Sequence, residues 1–170
     1  MLSEKRSDKM TRVSSYRRSD GTKVQDHYRR NAKTKMFPKE EIDEVYGKYK
    51  KQTNMTASEL EEWSKTSCSQ KASLSRSEES EEARKERRKL LTYVPESKRK
   101  QYSKFKTAQI RNLVLKKIPK KEWDSFLTAQ ANKANSYLGR AKKIRSKNKI
   151  EGCGTKNSIA LKNWAYDKNK

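Results

Sequence analysis

Lysine and arginine side chains interleaved with aromatic rings are the residues of this chain whose types and spacing point to chemistry. They fall in three runs, which comprise Lys98, Arg99, Lys100, Lys104 and Lys106, then Lys116, Lys117, Lys120 and Lys121, then Arg140, Lys142, Lys143, Arg145, Lys147 and Lys149. Cations at this density bind phosphate backbones by releasing counterions, which requires no particular base sequence. These residues are therefore predicted to contact nucleic acid without sequence specificity.

Two aromatic residues lie inside the first of these runs. Tyr102 and Phe105 either stack on unpaired bases or pack against their own helix, and we favour packing. The sequence contains no recognised reader of base edges, so sequence-specific binding is not expected.

Catalytic and metal-binding patterns are weak by comparison. The one histidine, His27, precedes Tyr28 and Arg29 in a predicted β-ribbon, where a surface residue is favoured over a general base. Cys68 and Cys153 are too far apart in sequence, and too few with one histidine, for a structural zinc site. Free thiols that act as small packing residues are favoured over a disulfide. We expect no enzyme activity, no cofactor, no metal and no small-molecule substrate.

Charge is unevenly distributed along the 170 residues, which carry a formal net charge of +23. Residues 1–35 have a net charge of +7, residues 36–97 of −1 and residues 98–170 of +17. This asymmetry predicts a basic arm, a near-neutral helical part that docks on a protein partner, and a basic helical part that binds a polyanion. A generically soluble basic surface is the alternative.

The apolar content limits the fold. Leu, Ile, Val and Phe account for 24 of 170 residues, a share at which disorder is the default expectation. We therefore expect a mostly α protein whose short helices form an open or extended arrangement on small clusters, with a small N-terminal β-hairpin and flexible termini. No stretch approaches the ~18 apolar residues of a membrane span, so no membrane association is expected.

The stretch 55–63 has the most consistent local pattern. Thr56 and Glu59 have the spacing of a capping box, and Met55 and Leu60 that of a hydrophobic staple. Trp63 follows Leu60 by one turn on the same face. We expect this short helix to present apolar side chains to a protein partner. The expected partner-binding residues are Leu60 and Trp63 of this helix, together with Trp164 near the end of the chain.

Other helices are predicted from apolar periodicity and from proline. The expected segments run from Pro38 to near Gln52, from Glu78 to Leu91, over 98–118, from about Lys121 to Arg145, and over 157–165. The Asp20-Gly21 pair between two runs of Val, Tyr, Ser and Thr predicts the hairpin turn.

Two blocks of sequence resemble a known group of proteins. Residues 54–77 contain a Ser-Glu-Leu…Trp helix that leads into Cys-Ser-x-Lys-Ala-Ser-Leu-x-Arg-Ser, and residues 153–167 contain Cys followed by Leu-Lys-Asn-Trp-Ala. Both are similar to blocks in small basic proteins encoded by tailed phages, a group with no known reaction. Residues 16–29 also resemble a short motif, Tyr-x-Arg-x-Asp-Gly-Thr-x-Val-x-x-His-x-Arg, that recurs in bacterial and phage proteins. The resemblance implies a viral origin.

Charge and resemblance together predict a non-catalytic, virion-associated structural protein that binds nucleic acid and other virion proteins. Its expected location is the virion, or the host cytoplasm during assembly. A minor capsid or tail component that makes only protein–protein contacts is the first alternative. A ribonucleoprotein component that prefers folded RNA is the second.

Overall fold

The computed structural model describes residues 10–13, 16–17, 23–24, 27–30, 36–72, 79–144 and 147–170. The chain forms two compact units, Met1–Met36 and Phe37–Lys170. The second unit therefore contains both the near-neutral part and the basic part that the charge distribution distinguishes.

Short antiparallel strands make up the described part of the first unit. Strand β1 (Met10–Val13) pairs with β4 (His27–Arg30), and β2 (Tyr16–Arg17) pairs with β3 (Lys23–Val24). The register places Val13 opposite His27 and Tyr16 opposite Val24. The Asp20-Gly21 turn lies outside the described residues, so the hairpin turn stays a prediction.

Helices dominate the second unit, as the sequence predicts. They are α1 (Lys39–Gln52), α2 (Ala57–Lys65), α3 (Glu81–Thr92), α4 (Glu96–Tyr102), α5 (Thr107–Lys117), α6 (Ser125–Ala141) and α7 (Lys156–Asn163). The connections between them include short 3-10 turns at Cys68–Gln70 and Lys120–Glu122. They also include a two-stranded ladder, in which β5 (Lys149–Ile150) pairs with β6 (Gly154–Thr155).

Side-chain caps determine where several helices begin. At α2 the Glu59 N–H donates to Thr56 Oγ1 at 3.2 Å, and the Thr56 N–H donates to the Glu59 carboxylate at 2.7 Å. The predicted capping box is confirmed, and Met55 and Leu60 are both buried in one core. Ser80 caps α3, Asp124 caps α6 and Thr155 caps α7, so α3 and α6 begin a few residues later than periodicity suggests.

The continuous helix predicted over 98–118 is wrong. The chain forms α4 and α5 instead, separated at residues 103–106. The Arg87 guanidinium donates to the carbonyls of Ser103 and Phe105, the latter at 2.7 Å. Because these bonds satisfy carbonyls that a helix would otherwise pair, the break is tolerated inside the fold.

A large core shared by several helices holds most of the buried apolar residues, and a separate small cluster contains Leu138, Ala141 and Leu161. The buried members of the large core come mostly from α1 to α6 and include Val45, Tyr49, Leu60, Leu90, Tyr102, Ile110, Leu113, Leu127 and Ala131, together with Trp123 from the segment before α6. The described helices therefore do not form the open or extended arrangement predicted. Aromatic rings supply the missing aliphatic volume: Trp123 packs edge-on against Tyr46 and Tyr49, with ring centroids 5.0 and 6.0 Å apart.

Candidate nucleic-acid interface

Helices α1 and α6 lie side by side and run in the same direction. Near their middles the Asn135 side chain donates to the Val45 carbonyl at 3.2 Å. Seven residues further along both helices, Lys142 Nζ donates to the Gln52 carbonyl at 2.8 Å. The C-terminal ends of α1 and α6 are therefore neighbours.

Each of these ends carries a group of cations, and their proximity produces one basic end. We define the basic end as Lys48, Lys50, Lys51, Arg140, Lys142 and Lys143. All are exposed except Lys142, which is half-buried. Among the described residues, no carboxylate forms an ion pair with any of the six.

Lys142 has a structural role within this group. Besides its bond to Gln52, its ammonium lies 3.9 Å from the centre of the Tyr166 ring. Burial lowers its pKa. The carbonyl that it binds is one of the four that the end of α1 leaves without a helical partner. A cation there is also favoured by the helix dipole.

The segment that follows α6 continues the basic character. Lys147 and Lys149 are exposed, and the described residues offer them no ion-pair partner. Arg145, which the sequence also assigns to nucleic acid, lies outside the described residues.

The cations around α4 differ in whether they bind a group of the protein itself. Lys98 forms an ion pair with Glu61 at 3.1 Å, and Arg99 Nε donates to the Val94 carbonyl at 3.0 Å. Lys106 is half-buried. Lys100 and Lys104 are exposed and have no ion pair within the described part of the chain.

Glu61 is the centre of a charged network between α2, α4 and α5. Its carboxylate accepts from Lys98, from Lys117 at 2.6 Å and from the Tyr102 hydroxyl at 2.7 Å. Burial acts to raise the pKa of Glu61, but these hydrogen bonds outweigh it and lower the pKa to about 2. Lys117 is therefore neutralised by its own protein.

The remaining cations of the second run differ in their surroundings. Lys120 pairs with Asp43 at 2.8 Å, and Lys121 is exposed. Lys116 is half-buried, and its ammonium donates to Thr53 Oγ1 at 3.0 Å.

Within the described residues, the acidic helix α3 forms its ion pairs with cations other than those of the predicted interface. Glu86 pairs with Arg111 and with Lys133, the latter at 2.5 Å, and Glu81 pairs with Arg88 at 3.0 Å. Each of these cations lies outside the predicted set. Of the predicted cations, Lys98, Lys117 and Lys120 form ion pairs with carboxylates in the described ranges.

The predicted partner-binding residues and the two aromatics serve the fold. Leu60 is completely buried, so its side chain cannot reach a partner while the unit is folded. Trp63 Nε1 donates to Asn163 Oδ1 at 2.8 Å, and the Trp164 ring stacks on Tyr137 with centroids 4.3 Å apart.

The interpretation of Tyr102 and Phe105 as packing residues is the one the structure supports. Their exposed fractions are 1% and 4%, and their ring centroids lie 5.3 Å apart. Neither ring has a face available for a base.

The expectation of free thiols is wrong. Cys68 and Cys153 form a disulfide with 5.4 Å between their Cα atoms. It joins the 3-10 turn after α2 to the turn between β5 and β6. Their 85-residue separation hid this pairing, because contact between distant segments depends on how the helices pack.

The sequence interpretation missed part of the basic end. Lys48, Lys50 and Lys51 lie in residues 36–97, whose net charge near zero concealed a local cluster. A usable signal was present, since three lysines fall in the last five residues of the predicted first helix.

His27 lies in β4. In the described ranges, His, Cys, Asp and Glu do not form a group of three that could hold a metal ion. None of the described helices is both long enough and apolar enough to cross a membrane.

Comparison with protein-family models, curated proteins and solved structures finds no match to this chain.

Proposed function

We propose that this protein binds nucleic acid through its basic end, without sequence preference and without catalysis. The observation that carries the proposal is the Lys142–Gln52 contact, which brings cations about 90 positions apart in sequence to one end of two parallel helices. Phosphate backbones present charge at regular spacing, and grouped cations can bind several phosphates together.

In the described part of the chain no carboxylate pairs with the basic end, and this supports nucleic-acid binding over a purely structural surface. Other lysines of the chain are paired with carboxylates, as with Lys98, Lys117 and Lys120. The ammonium groups of Lys50, Lys51 and Lys143 have no such pair among the described residues and remain exposed.

Association with a phage particle is part of the proposal and rests on the sequence resemblance. In that setting the basic end would contact the packaged genome, while other surfaces contact virion proteins. Mass spectrometry of purified particles tests this location, since a virion component is present at a fixed stoichiometry. Absence of the chain from intact particles would contradict the assignment.

Binding to random duplex DNA at 50 and 200 mM salt tests the function. Each phosphate contact contributes about 0.9 to the slope of log affinity against log salt. Replacing Lys50, Lys51 and Lys143 together with Gln should therefore reduce that slope by about 2 to 3.

The matched control replaces three exposed lysines away from the basic end, Lys39, Lys71 and Lys85, with Gln. It removes the same charge and should leave most of the slope intact. Equal losses in both variants would show that only net charge matters and would overturn the assignment to the basic end. Absent or salt-insensitive binding would favour protein–protein contacts alone, and a preference for folded RNA would favour a ribonucleoprotein role.

A further inference from the structure

A cavity of about 670 Å³ lies between the end of α1, the start of α2 and the end of α5. Its walls include the rings of Tyr46 and Tyr49 and the ammonium-bearing side chains of Lys50, Lys116 and Lys117. The lining residues, all in the described part of the chain, contain no Asp or Glu.

Two of the three lysines keep an uncompensated charge. Lys117 is bound to the Glu61 carboxylate, which lies outside the cavity lining. Lys116 has no ion pair among the described residues; it donates to Thr53 Oγ1 at 3.0 Å and lies 5.6 Å from the Tyr49 ring centre. Lys50 is exposed and also has no carboxylate partner in the described ranges.

The position of Lys116 is costly for a protein that has no ligand for it. Burial lowers the pKa of Lys116 to about 8, the nearby charges of Lys50 and Lys170 act in the same direction, and Glu59 opposes them. A desolvated ammonium without a counter-ion destabilises the folded state. An anion between Lys50 and Lys116 would offset that cost.

We propose that this cavity binds a phosphate monoester, with its dianionic phosphate between the ammonium groups of Lys116 and Lys50. A terminal phosphate carries about two negative charges near neutral pH, which matches the two uncompensated lysines. A monoester also projects from its parent molecule and can enter a recess, whereas the phosphodiester of a duplex is flanked on both sides by sugars. This site shares Lys50 with the basic end, but Lys116 is not part of the basic end, and the two proposals can fail independently because free phosphate tests the cavity without a duplex.

The proposed site has a defined pH window. The ammonium of Lys116 is lost as the pH rises through about 8, and the phosphate loses its second negative charge below about pH 6. The other charged groups facing Lys116 are Lys50 on α1, Glu59 on α2 and Lys170 at the C-terminus, and Glu59 is already paired with Lys170. Binding should therefore be strongest between about pH 6 and 8.

The test measures the thermal midpoint of the full chain with added sodium phosphate at pH 7, against sodium chloride at equal ionic strength. A specific site predicts an upward shift with phosphate that chloride does not produce. Lys116→Gln should abolish the shift, Lys50→Gln should reduce it, and the control Lys143→Gln, outside the cavity lining, should retain it. An equal response to phosphate and chloride, or a full shift in Lys116→Gln, would overturn the proposal.

Two further arms identify the source of the phosphate. A short single-stranded oligonucleotide is compared with and without a 5′-phosphate, and a nucleoside 5′-monophosphate is compared with its nucleoside. Tighter binding of the 5′-phosphorylated strand, lost in Lys116→Gln, assigns the site to a nucleic-acid end. Binding of the mononucleotide with no effect of the strand's 5′-phosphate assigns it to a free ligand. If neither phosphorylated compound binds better than its unphosphorylated form, the monoester assignment is wrong.

Discussion

Lys142 Nζ donates to the backbone carbonyl of Gln52 at 2.8 Å, so the residue that follows α6 binds the last carbonyl of α1. Lys142→Met should lower the free energy of unfolding by about 1 kcal/mol, because it removes one hydrogen bond and a favourable charge at the end of α1. Urea denaturation at pH 7 measures the change. The exposed neighbour provides the control: Lys143→Met should have almost no effect on stability, and similar losses in both variants would refute a specific closing role.

The Glu61 carboxylate gives a second prediction. Glu61→Gln leaves Lys117 and Tyr102 without their charged acceptor, and we expect the free energy of unfolding at pH 7 to fall by about 2 kcal/mol. Its exposed neighbour Glu62, which pairs with Lys65 one turn away, supplies the control, and Glu62→Gln should change stability little.

The pH dependence of the Glu61 effect follows from the direction of its shift. Because the folded-state pKa is lowered to about 2 from an ordinary value of 4.5, the carboxylate stabilises the fold fully above pH 4.5. This contribution is lost as the pH falls from 4.5 toward 2. The stability difference between the native chain and Glu61→Gln should shrink over that interval in denaturation series at pH 7, 4 and 3. A difference that stays constant would show that the charge of Glu61 is not the cause.

The Cys68–Cys153 disulfide gives a third prediction. Closing a loop of this length is worth up to about 4 to 5 kcal/mol through the unfolded state. Replacing both cysteines with Ser should lower the unfolding free energy by an amount approaching this value, measured with urea under oxidising conditions. Dithiothreitol should destabilise the native chain to a similar extent and leave the double variant unchanged.

Thiol labelling checks the disulfide directly. The oxidised native chain, alkylated while denatured and without reductant, should gain no label by mass spectrometry. Two labelled thiols would contradict the disulfide, whatever the unfolding data show.

Features determined by neighbours in sequence were predictable. The Thr56–Glu59 capping box needs two side chains three residues apart, so its geometry follows once a helix begins there. The bounds of α1 follow similarly, from Pro38 and the acidic first turn to the lysines of its last turn. The excess of cations in residues 98–170 is a property of composition and needs no structure.

Tertiary packing decided which of those cations are paired. Lys98 and Lys117 are 19 residues apart, yet both form an ion pair with Glu61 of α2. Lys100, two residues from Lys98, has no ion pair with a described carboxylate. Charge counting treats these lysines alike. Their difference arises because a folded helix directs neighbouring side chains to different faces, and one of those faces meets a carboxylate.

At the candidate site, too, some features follow from the sequence and others only from tertiary packing. By itself the sequence determined that the chain is mostly helical, strongly basic toward its end and capped at Thr56. Only the packing of α1 beside α6 joined Lys50 and Lys51 to Lys142 and Lys143. Lys116 is half-buried only because α5 packs against the end of α1. The physical reason is distance along the chain: contacts within one turn are governed by local geometry, whereas contacts between residues tens of positions apart exist only when the whole core assembles.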